Sequence, residues 1–131
     1  MASFSAKYRI YYEDTDSGGV VYYANYLKFF ERARTDYLRS LGISQSLLQQ
    51  TENTIFVVSE CKIKYRRPAK LDDLVTVTVT VENVGAVAID MKQQMLLNDE
   101  VLAELEVKIA SLDSVGFKLK RISEKLSILF G

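Results

Sequence analysis

Within Tyr11–Leu41, YYEDTDSGGVVYYANYLKFFERARTDYLRSL, an acidic, glycine-containing loop runs straight into the longest helical pattern of the chain. Two chemically useful groups meet there. A loop carboxylate can serve as nucleophile or general base, and the free N–H groups of a first helical turn can hold a developing oxyanion. Together they suit attack on an activated carbonyl. The absence of histidine removes several rival chemistries. Ser-His-Asp and Cys-His nucleophiles, His-ligated zinc and a histidine base are all excluded. With a single cysteine as well, no metal site is expected.

The elements that position this junction come from an ordinary composition. At 131 residues, 48% apolar and 26% charged, the chain reads as one domain, 1–131, large enough to bury a core. Seventeen basic residues balance seventeen acidic ones, so there is no bulk field for nucleic acid or an acidic membrane. The lone Cys61 rules out an internal disulfide and suits a reducing cytoplasm. MASFSAKYRIYYED lacks the apolar segment of a signal peptide, and no apolar run approaches the roughly 20 residues of a membrane helix. The expectation is a cytoplasmic protein that does not span a membrane.

Residues 4–13 alternate loosely and carry Tyr and Ile, which predicts a first strand. Asp14–Gly19 reads as a loop. A helix should start near Tyr23–Asn25 and end at Leu41, with Gly42 at C′. Its apolar arc comprises Tyr26, Leu27, Phe29, Phe30, Ala33, Tyr37, Leu38 and Leu41, a width that calls for cover by a sheet. Arg34 interrupts that arc with Glu31 one turn earlier. They form either an intrahelical pair or charges facing a substrate pocket.

Ser44–Asn53 is a polar connection with room for a short helix. Period-two strands follow at 55–66, 74–83, 87–97 and 101–112. In the first of these Cys61, Ile63 and Tyr65 share a face, and Cys61 is expected to be a small buried residue. Turns fall at Arg66–Asp73, Asn83–Ala86 and Asn98–Asp99, and Ile122–Phe130 carries a short helical pattern. A long apolar helix beside about five antiparallel strands is an α+β fold, with the sheet curled around the helix.

The stretch YYEDTDSGGVVYYANYLKFFERARTDYLRSLG, continued by KIKYRRPAKLDDLVTV, resembles the hotdog-fold acyl-CoA thioesterases. It is most similar to the YbgC type associated with the Tol–Pal system, and next to the 4-hydroxybenzoyl-CoA thioesterases. The resemblance covers most of the chain and implies hydrolysis of acyl-CoA thioesters. It places the catalytic aspartate on Asp16 and leaves Asp14 a structural part. The oxyanion donor falls on the backbone N–H of Tyr23 or an immediate neighbour. YbgC-type relatives usually carry histidine where this chain has Tyr23, whereas the hydroxybenzoyl branch carries tyrosine. A main-chain donor survives that exchange. No cofactor is implied, because coenzyme A is part of the substrate.

The chemistry also stands without the family. A thioester has a good leaving group, so one carboxylate and an oxyanion site suffice. Asp16 read alone is a helix or turn cap. Arg66, Arg67 and Lys70 are either a solvated charge cluster or a clamp for the nucleotide phosphates, or for an acidic acyl carrier protein. The hydroxybenzoyl branch uses an arginine pair in a later turn, where this chain reads Asn83-Val84-Gly85-Ala86.

Asn25 caps the helix or hydrogen-bonds near the thioester, and Glu31 is a candidate substrate contact. Phe29, Phe30 and Tyr37 read as core rather than acyl-pocket lining, and pocket depth rests on which of Leu27, Phe30, Val57 and Val58 line it. The resemblance further implies a homo-oligomer, at least a dimer and expected as a tetramer. In that assembly the Asp16 loop faces a partner subunit's strands and its Arg66–Lys70 loop. The competing reading is a carrier-protein-binding scaffold of phospholipid or envelope metabolism with little turnover. A dehydratase is disfavoured by the missing histidine.

Overall fold

A computed structural model describes residues 3–131. Five strands form a single antiparallel sheet in the order β1-β3-β4-β5-β2. They are β1 (Ser3–Arg9), β2 (Thr54–Tyr65), β3 (Leu74–Val84), β4 (Ala88–Leu97) and β5 (Glu100–Asp113). The long helix α1 (Tyr26–Ser40) packs across β1 and β3. Two short helices, α2 (Gln45–Glu52) and α3 (Glu124–Phe130), complete the fold.

Sequence explains most boundaries. β1 stops at Arg9 rather than running to residue 13, because Tyr12–Asp14 curl into a 3-10 turn held by the Asp14 carboxylate, which accepts the Tyr11 N–H at 2.8 Å. α1 ends in a Schellman motif. Gly42 takes φ +81°, its N–H reaches the Arg39 carbonyl, and the Ile43 N–H reaches the Leu38 carbonyl, both at 2.9 Å. Asn98 and Asp99 both adopt positive φ, as a two-residue type I′ hairpin requires. The β3–β4 turn sits slightly later than expected. Asn83 and Val84 stay in the strand, and the chain reverses through residues 85–87.

The core lies between α1 and the near half of the sheet. Phe29, Phe30 and Ala33 are at most 1% exposed, as are Val75, Val77, Val79 and Val81 beneath them. β2 is an edge strand, and α1 does not cover it. Consequently Cys61 is exposed rather than buried. Its inward register is as expected, since it pairs with buried Val107; the missing part is a layer above it. Tyr65 on the same face is 45% exposed for the same reason. A bulge between Val58 and Glu60 keeps Phe56 and Val58 on that inner face ahead of Cys61. Leu27 also departs from expectation at 41% exposed, because it lies on the flank of α1 rather than over the sheet.

Candidate active site

Residues 14–22 form a small hairpin in front of α1. The Tyr22 N–H donates to the Asp14 carbonyl at 3.2 Å, and the Asp16 N–H donates to the Val20 carbonyl at 2.9 Å. Glycine serves at two points of its tip. Gly19 adopts φ +79°. At Gly18 a Cβ would stand 3.2 Å from Oδ1 of Asp16, crowding the carboxylate that accepts the Gly18 N–H at 2.8 Å.

The two acidic residues receive different surroundings. Asp14 is buried and spent on structure, with its carboxylate on Tyr11 N–H and its carbonyl accepting Nδ2 of Asn25 at 3.0 Å. Asn25 therefore neither caps the helix with its side chain nor stands free; it ties the helix start to the loop. Asp16 is exposed, and the Gly18 amide is its carboxylate's partner.

Tyr23–Asn25 form a 3-10 turn leading into α1. The Tyr23 N–H donates to no acceptor among the described residues, so an exposed carboxylate and a free amide sit on one hairpin-and-turn unit. Two tyrosine side chains hold that unit in place. The Tyr65 hydroxyl donates to the Tyr23 carbonyl at 2.9 Å, and the Tyr26 hydroxyl accepts the Ala69 N–H at 2.9 Å. The Tyr26 and Tyr65 rings meet edge-on at 5.2 Å. Burial pushes the phenol pKa of both upward. Sequence reading did not single out Tyr26 and Tyr65 as positioning groups, although Tyr26 ends the YYANY motif.

The Arg66–Asp73 loop docks against the hairpin of its own chain. Val21 N–H donates to the Ala69 carbonyl at 2.8 Å, and Leu71 N–H to the Gly19 carbonyl at 3.0 Å. Arg66 pairs with Glu104 at 3.1 Å and Arg67 with Glu100 at 3.2 Å, both on β5. Their charges are thus partly satisfied. Lys70 bridges to Val20 through the backbone and stands nearest the Asp16 hairpin.

Of the two arrangements open to Glu31 and Arg34, the intrahelical ion pair is absent among the described residues. Glu31 accepts the Thr35 hydroxyl at 2.8 Å instead. Arg34 reaches Oε1 of Gln93 at 2.9 Å, and Nε2 of Gln93 donates to the Phe30 carbonyl at 2.9 Å. Gln93 is 1% exposed. Its polar side chain at an inward position of β4, between Met91 and Met95, was a legible signal that the strand pattern alone did not weigh. Glu31, Arg34 and Val58 line a cavity of about 110 Å³, whereas Leu27, Phe30 and Val57 do not.

Residues 18–106 match the thioesterase superfamily. The chain belongs to that superfamily. It is 47% identical over 110 residues to the acyl-CoA thioesterase YbgC of Haemophilus influenzae, covering 84% of this chain and 81% of the relative. It is 35% identical over 119 residues to the acyl-CoA thioester hydrolase YbgC of Escherichia coli, covering 90% and 88%. The crystal structure of a probable thioesterase from Bartonella henselae superposes with a TM-score of 0.89 at 34% identity, covering 93% of this chain and all of that one. As a hotdog-fold thioesterase, the chain has the α+β architecture read from its sequence. No described helix is long and apolar enough to cross a membrane.

Proposed function

We propose that this thioesterase hydrolyses acyl-CoA thioesters to the free acid and coenzyme A in the cytoplasm, with no further cofactor. Asp16 acts as nucleophile or as the base that activates water, and the Tyr23 N–H polarises the thioester carbonyl. Oxygen adds to the acyl carbon, the C–S bond breaks, and the departing thiolate takes up a proton. One observation carries this assignment: the exposed Asp16 carboxylate and the unpaired Tyr23 amide belong to a single braced hairpin and turn. Similarity to the YbgC thioesterases supports the choice of substrate class.

Lys70 is the first contact for the nucleotide phosphates. Arg66 and Arg67 join it by exchanging their glutamate partners for phosphate. The uncovered β2 edge and its exposed Tyr65 favour assembly as a dimer or larger homo-oligomer, in which a partner completes the cleft.

Thiol release from a panel of acyl-CoAs tests the reading. Wild type should turn over, and Asp16→Asn should lose about 10²–10⁴-fold in kcat with its fold intact. Near-wild-type activity in that variant would remove Asp16 from the mechanism. Silence of the wild type across the panel, combined with capture of an acyl carrier protein, would favour the scaffold reading.

A further inference from the structure

Exposed apolar side chains gather at one end of the sheet, where β5 runs out. Past Asp113 the chain turns back through residues 114–117, and the return arm sets Leu119 opposite Leu112 of β5. The Asp113 N–H donates to the Lys118 carbonyl at 2.8 Å, and the Lys120 N–H to the Ser111 carbonyl at 2.9 Å. Oδ1 of Asp113 accepts the Val115 N–H at 2.8 Å, and the Asp113 carbonyl accepts the Phe117 N–H at 2.8 Å. The Ser114 N–H donates to the Asn53 carbonyl at 2.8 Å, and the Lys120 ammonium donates to the Glu52 carbonyl. This second hairpin is therefore fixed to the body of the fold on both arms.

Its projecting part is apolar and bare. Val115, Phe117 and Leu119 are 78%, 67% and 65% exposed. Large apolar side chains grouped in this way mark an interaction site. Phe117 also adopts φ +56°, a conformation that a bulky side chain occupies only at a cost. Cations stand beside it. Between Asp113 and Glu124 lie Lys118, Lys120 and Arg121 and no carboxylate. Lys118 and Arg121 are exposed and join no ion pair among the described residues. The whole chain carries no net charge, so any attraction here is local.

We propose that this hairpin docks the protein on an anionic lipid surface, with Val115 and Phe117 entering below the headgroups and Lys118 and Arg121 meeting lipid phosphates. A protein partner must supply a matching pocket and roughly 800 Å² of surface, more than three side chains on one turn can meet. A bilayer supplies an apolar interior directly beneath its phosphates. The hairpin backbone is already bonded, so docking orders little chain. The surface is also remote from the candidate active site. It sits at the Thr54 end of β2, whereas Tyr65, which braces the Tyr23 turn, closes the other end about 35 Å of strand away. The inference goes beyond the thioesterase reading and does not depend on it.

Sedimentation of the full chain with extruded vesicles tests it. Vesicles of phosphatidylcholine carrying phosphatidylglycerol should bind the wild type about 10- to 30-fold better than phosphatidylcholine alone, as two cations predict. High salt should remove most of that difference. Val115→Ser combined with Phe117→Ser should weaken binding at least about 10-fold. Lys118→Gln combined with Arg121→Gln should abolish the preference for the anionic lipid. Both variants should melt as the wild type does, because these side chains are exposed. The chain contains no tryptophan, so Phe117→Trp places a single fluorescent reporter on the hairpin. Its emission should shift to the blue on anionic vesicles and be quenched by lipids brominated in their acyl chains. Failure of the wild type to sediment with anionic vesicles overturns the inference. So does binding that survives the double serine change, or an unquenched reporter on vesicle-bound protein, since another face would then make the contact. Absence of vesicle binding, together with hairpin-dependent capture of an acyl carrier protein or self-association, would assign the surface to a protein partner and overturn it as well.

Discussion

β3 and β2 carry the same alternation of inward apolar and outward polar residues, yet they end in opposite surroundings. Under α1, Val75, Val77, Val79 and Val81 of β3 are sealed at 1% exposure or less. On β2 the corresponding inward residues Val58, Cys61 and Tyr65 stay open. The first strand belongs to the core and supplies stability. The second is left without a helix above it, with Tyr65 beside the helix start. The helix covers only one half of the inner face.

Three changes sharpen that contrast, beyond the activity loss expected at Asp16. Phe30→Ala empties a fully buried site on the covered side and should cost about 3–5 kcal/mol in denaturant unfolding. Leu27→Ala on the open flank of the same helix should cost well under half as much, and an equal cost would mean that the flank is also packed. Gly42→Ala forces a Cβ into φ +81° at the helix stop, with an expected loss of about 1–2 kcal/mol read from a thermal melt.

The smallest effect belongs to Cys61→Ala, which should shift stability by less than about 0.5 kcal/mol in the isolated chain. The same thiol reports on assembly. Labelling of Cys61 should be fast in dilute protein and slow as concentration rises, because a second copy would cover the β2 face. Labelling that is independent of concentration would argue against assembly through that edge.

Element types were legible because local rules agreed with one another. The valine-threonine alternation of β3, the Gly42 stop and the Asn98–Asp99 turn each have one economical conformation, and the chain adopts them. The hairpin was legible as a motif, from the acidic pair, the two glycines and the aromatic run after them. Asp14 and Asp16 differ in burial and bonding: one carboxylate is tied to Tyr11 N–H inside the fold, the other lies exposed at the tip. Arg34 shows where local reading stops. The i, i+3 spacing from Glu31 pointed to a pair within the helix. Gln93, 59 residues away, supplies the arginine's hydrogen bond instead, and spacing along one helix holds no information about a distant strand.

By itself, the sequence determined the α+β class, the order of elements, the family and the position of the acidic, glycine-containing loop before the long helix. These depend on short-range backbone preferences, on periodicity and on a long continuous motif. Tertiary structure alone decided which inward-facing residues are covered. Period two assigns a side chain to a face of the sheet, but burial depends on what packs above that face. Here α1 lies over β1 and β3, so Val77 becomes core while Cys61 and Tyr65, which also face inward, stay exposed.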